Sequence, residues 1–90
     1  MKQEQAEITA IMAVSFISSC ENHLDALCAQ TGVGLNDLKS ELTNPAFLAG
    51  VLDFLLNNEN LLLEFASFEQ IAPEFIVRCR RALPGGDNLW

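Results

Sequence analysis

The chain has 90 residues, half of them hydrophobic and 19% charged, with five basic residues against twelve acidic ones and a formal net charge of −7. The length fits one domain and excludes two, and the composition excludes a disordered chain. Such an acidic surface repels phosphate backbones and anionic lipid heads, so neither nucleic acid nor a membrane is an expected partner.

The apolar stretch from Ile8 to Cys20 carries no charge. It is too short to span a bilayer, and Glu4 and Glu7 stand before it where a signal peptide needs net positive charge. It therefore reads as the first helix of a cytoplasmic protein, over about Gln3 to Ser18. Ile8, Ile11, Met12 and Phe16 recur at helical spacing on one side, and Ala10, Val14 and Ile17 form a second stripe roughly opposite. A helix apolar on two sides is sandwiched in the fold or offers one side to a partner. Val14 and Ile17 are the candidate contact residues.

Ser18-Ser19 followed by Glu21 predicts the start of a second helix, capped by serine and favoured by the acid at its positive end. Leu24, Leu27, Cys28 and Thr31 share one face of it, and Gly32 ends it in the left-handed conformation that helix ends often need. A short third helix over about Leu35 to Leu42 turns Leu38 and Leu42 inward. Thr43-Asn44-Pro45 is the clearest punctuation in the chain, with Asn44 as cap and Pro45 at the first helical position.

The fourth helix carries Phe47, Leu48, Val51, Leu52, Phe54, Leu55 and Leu56 over more than half its circumference, which makes it the central one. Gly50 within it costs about 1 kcal/mol relative to alanine, so the close approach of another helix is its expected reason. Asn58 is the predicted cap of the fifth helix. There Leu61, Leu62 and Leu63 point in three directions, and Leu61 is taken as the third candidate contact residue. Pro73 opens a sixth helix with Phe75, Ile76, Cys79 and Leu83 inward, and Pro84-Gly85-Gly86 stops it. The expected architecture is all-α: a compact, irregular bundle of five or six short helices in one domain over 1–90, ordered over about 3–84 with a tail at 85–90.

The run Asn44-Pro45-Ala46-Phe47-Leu48-Ala49-Gly50-Val51-Leu52-Asp53-Phe54-Leu55-Leu56 resembles a family of short bacterial proteins known only as a domain of unknown function. The resemblance continues through Glu59 to Ala66 and through Arg80-Arg81-Ala82-Leu83-Pro84-Gly85, and covers roughly Ile8 to Gly85. It implies an all-helical cytoplasmic protein and supplies no activity, ligand or partner. Where members often begin the second helix with an acidic residue and proline, this chain has Cys20-Glu21, so Cys20 inherits no role.

Cys20, Cys28 and Cys79 are an odd set without C-x-x-C spacing, which fits a reducing compartment and free thiols. Cys20, His23 and Cys28 are the only grouping that suggests zinc; with loose spacing and no fourth ligand, they are better read as small hydrophobes and a solvated histidine. His23 has no partner to tune it, and Asp25 is too near in sequence to face it on a helix. No catalytic, cofactor or metal residue is expected.

Thr31-Gly32-Val33 between two short helices resembles the turn of a helix-turn-helix. The helix after it offers Asn36, Asp37, Lys39, Ser40 and Glu41, one cation against two carboxylates, or −1. That is poor equipment for phosphates and base edges, although the Arg78, Arg80, Arg81 cluster could touch phosphates. The leading expectation is a small protein-interaction or adaptor module that binds a protein partner or forms a homodimer. A DNA-binding helix-turn-helix protein is the alternative.

Overall fold

A computed structural model describes residues 2–85. Among them are six α-helices and no strand: α1 (Gln3–Ser18), α2 (Glu21–Thr31), α3 (Leu38–Glu41), α4 (Pro45–Leu56), α5 (Glu59–Glu69) and α6 (Pro73–Arg81). A 3-10 turn over Leu35–Asp37 leads into α3. The expected all-α bundle is thus observed, with the third helix tighter at its start than its spacing suggested. The tail at 86–90 lies outside the described residues.

The helix ends follow local chemistry. Asn44 Oδ1 accepts the Ala46 N–H at 3.0 Å, and Pro45 occupies the first position of α4. Gly32 closes α2 at φ 76°, donating its N–H to the Cys28 carbonyl at 2.9 Å. At two ends the capping side chains bond differently from expectation. Ser18 and Ser19 do not cap α2: their hydroxyls turn back to the Val14 and Phe16 carbonyls, each at 2.7 Å, and close α1 instead. Asn58 does stand at the N-cap of α5, where its carbonyl accepts the Leu62 N–H at 2.8 Å, but its side chain donates from Nδ2 to the Phe54 carbonyl at 2.7 Å and ties off α4. Both use the alternative open to a short polar side chain between two helices, which is to bond the orphan carbonyls behind it.

Helix α4 is the hub and packs against α1, α2, α5 and α6. Seven of its side chains are buried, among them Leu48, Val51, Leu52 and Leu55. A helix apolar over most of its circumference needs neighbours on most sides, and the short connections supply four. At Gly50 an added Cβ would stand 3.4 Å from Thr31 Cγ2, so the close approach expected there comes from the end of α2. No single helix among the described residues is long and apolar enough to cross a membrane.

Helix α1 corrects the sequence reading. Its core face is Ala6, Ala10, Ala13, Val14 and Ile17, with Thr9 beside them, and the larger Ile8 and Ile11 stand 52% and 39% exposed. Val14 and Ile17, expected as contact residues, are therefore interior, at 8% and 0% exposure. The cause is volume. Interiors are close-packed, and α4 brings leucines and phenylalanines to the axis, so the helix that packs on it fits best with alanine-width residues. Leu61 is corrected in the same way. It is 6% exposed and shares the inner face of α5 with Phe65 and Ala66, while Leu63 is the leucine left outside at 47%.

Candidate interaction surface

The displaced apolar side chains of α1 and α5 meet on the outside of the bundle. Ile8, Ile11, Met12 and Phe16 keep the helical spacing that marked them in the sequence, but in the stripe they form Ile8 and Ile11 are exposed while Met12 and Phe16 lie half-buried against the edge of the core. Phe16 links it to α5. Its ring centroid lies 5.4 Å from that of Phe65, which is fully buried, and 5.5 Å from that of Phe68, which is 71% exposed. Both pairs are tilted, at 57° and 46°, within the range in which aromatic edges and faces attract.

Two adjoining hollows share Phe16 and Phe68. One, of about 370 Å3, continues over Met12, Ser15 and Ser19 and ends at Glu69. The other, about 580 Å3 and shallower, takes in Leu63, Ser67 and Glu64. The floor of each is carbon, and each has a carboxylate at its margin. Helices α1 and α5 together carry Glu4, Glu7, Glu59, Glu64 and Glu69 and no lysine or arginine.

The buried polar groups elsewhere are already paired. A hollow of about 360 Å3 between the end of α2 and the start of α4 is bordered by Gln30, Thr31, Glu41, Asn44 and Asp53. Of its two carboxylates, Glu41 accepts from Asn44 Nδ2 at 2.9 Å and Asp53 binds Arg80. Among the described residues no buried side-chain nitrogen or oxygen lacks a hydrogen-bond partner. His23 borders a hollow with Asn57, Asn58, Glu59 and Asn60, and makes no hydrogen bond to any of them.

The arginine cluster divides on folding. Arg80, read in the sequence as part of a surface cluster, is buried at 7% exposure. Its Nε donates to Asp53 Oδ1 at 2.7 Å, and its Nη1 donates to the Pro84 carbonyl at 2.9 Å. Arg78 and Arg81 stay exposed. The segment considered for DNA recognition comprises the 3-10 turn and the single turn of α3, and Leu35 stands 56% exposed on it.

None of the three cysteines pairs with another; Cys79 is buried and Cys20 and Cys28 are half-buried. No group of three His, Cys, Asp or Glu side chains among the described residues is placed to hold a metal. Eight helical steps put Cys20 and Cys28 about 12 Å apart along the axis, too far to share an ion. Burial pushes the Cys79 thiol up, against the opposing pull of the Thr9 hydroxyl and the Arg78 charge. Native protein is therefore expected to lose Cys20 and Cys28 to a thiol reagent well before Cys79, and unfolded protein to lose all three at similar rates. Mass spectrometry of the labelled peptides reads this directly; early labelling of Cys79 would show that α6 opens readily.

A model of the family described as "Protein of unknown function (DUF3572)" matches residues 3–86. No curated protein and no solved structure matches the chain.

Proposed function

The chain belongs to this family, whose description assigns no activity, and from its own surface we propose that it is a small protein-interaction or adaptor module without catalytic activity. Its working face is the apolar stripe of α1 and α5. The observation that carries the reading is Phe68, which stands 71% exposed and stacks on Phe16 at a hollow shared with the exposed Leu63. Leaving a large apolar side chain in water forgoes about 1.5–3 kcal/mol of burial, and contiguous patches of this kind mark contact sites.

The test is a double substitution, Ile11→Ser with Phe68→Ser, which removes apolar surface without altering charge. Both sites are exposed, so the variant should keep its helical spectrum and lose no more than about 1 kcal/mol of stability. Affinity capture from the source cells, quantified for both proteins side by side, should show a protein whose recovery falls at least about tenfold with the variant. Equal recovery of every captured protein would remove the face from consideration.

A further inference from the structure

Resting on that reading of the α1–α5 face, we propose that its occupant is a cationic amphipathic helix of another protein, laid apolar side down along α1. Length is the first argument. From Ile8 to Ser19 the stripe runs twelve residues, or eleven helical steps of about 16 Å in all, which matches some three turns of a docked helix. The second is shape. Ile8, Met12 and Phe16 form an i, i+4 row, the kind of ridge into which the side chains of another helix interlock, and the hollows beside Phe16 and Phe68 would take its largest residues. An extended peptide adding to a sheet edge has nothing to pair with, because the described residues contain no strand.

Charge selects the partner. Glu4 and Glu7 stand at one end of the stripe and Glu64 and Glu69 at the margins of the hollows, with no cation on either helix. A helix flanked by lysine and arginine meets this rim with opposite charge along its length. A second copy of the chain would instead bring two molecules of net charge −7 together and set carboxylate rim against carboxylate rim. Anionic lipid is disfavoured by the same sign.

The probes are three synthetic helical peptides of about 15 residues that share one leucine face and differ only in their flanks: lysine, glutamine or glutamate. Each is titrated into the full chain and followed by amide chemical shifts. The lysine peptide is expected to move amides over Ile8–Ser19 and Leu63–Glu69, to bind about tenfold or more tighter than the glutamine peptide, and to weaken with salt. The glutamate peptide should bind worst. Glu64→Gln with Glu69→Gln should narrow the lysine preference, and Ile11→Ser with Phe68→Ser should abolish binding at unchanged charge.

Equal binding of the lysine and glutamine peptides overturns the cationic assignment and leaves the contact face standing. Self-association through the same amides makes the second copy the occupant, with the same consequence. Lysine-peptide binding that survives Ile11→Ser with Phe68→Ser is unspecific attraction, and it overturns the docking site as well. Failure of all three peptides to bind a monomeric chain overturns the helix assignment, and the capture experiment above then decides the face itself.

Discussion

Leu52→Ala is expected to lower the free energy of unfolding by about 2–5 kcal/mol, the usual cost of truncating a buried leucine. Leu52 is fully buried near the middle of α4, which packs against α1, α2, α5 and α6. Removing three carbons there opens a space lined by side chains of several helices, and no single rotamer change can fill it. A chain of 90 residues has roughly 5–13 kcal/mol of stability in all, so the loss is a large fraction of the total. Urea denaturation followed by helical circular dichroism reads the effect as a shift in midpoint at unchanged slope. Ile11→Ala in the same experiment should stay within about 0.5 kcal/mol, because Ile11 touches solvent. A midpoint indifferent to Leu52 would mean that α4 is peripheral, and the fold described above would be wrong at its centre.

Asp53→Ala is expected to cost about 2–3 kcal/mol. The Arg80 guanidinium lies at 8% side-chain exposure with Asp53 at 36%, so the substitution strands a nearly buried charge with the Pro84 carbonyl as its remaining recorded partner. Breaking a fully buried pair costs about 3–5 kcal/mol, and partial access of water to Asp53 places this pair below that range. The pair joins α4 to α6 across 27 residues of chain, and the loss should appear in global unfolding. Arg80→Lys should not substitute, because Nε and Nη1 both donate and an ammonium cannot reproduce that fork. Replacing both partners with apolar residues, Asp53→Leu with Arg80→Met, should recover most of the loss, since no charge is then left unpaired. If Asp53→Ala proves neutral, the guanidinium finds water and the pair is ornamental to stability.

These two sites differ in how far they could be read from the chain. Leu52 follows from the apolar breadth of α4, which a helical wheel shows without coordinates. The Asp53–Arg80 pair does not: Asp53 reads as a polar-face residue and Arg80 as one of three surface arginines. The one available signal was the spacing of Arg80, four residues after Ile76 and three before Leu83, both of which face inward. Gln70 is similar. It closes α5 in the left-handed conformation at φ 58°, a position where glycine is usual and no local rule would place glutamine.

The sequence by itself determined that the chain is helical, where most of the helices begin and end, and that α4 is the hub. Those features depend on neighbours within a turn or two: Asn44 beside Pro45, Gly32 after Thr31, and an apolar period repeated over each helix. Only the tertiary structure decided which of the two apolar stripes of α1 is inside. Hydrophobicity favours the side with Ile8, Ile11 and Phe16, but packing against the bulky α4 favours the side with Ala6, Ala10 and Ala13. That choice turns on volumes contributed by residues some forty positions away, and it leaves Ile8 and Ile11 exposed and Phe16 half-buried at the edge, where it meets Phe68.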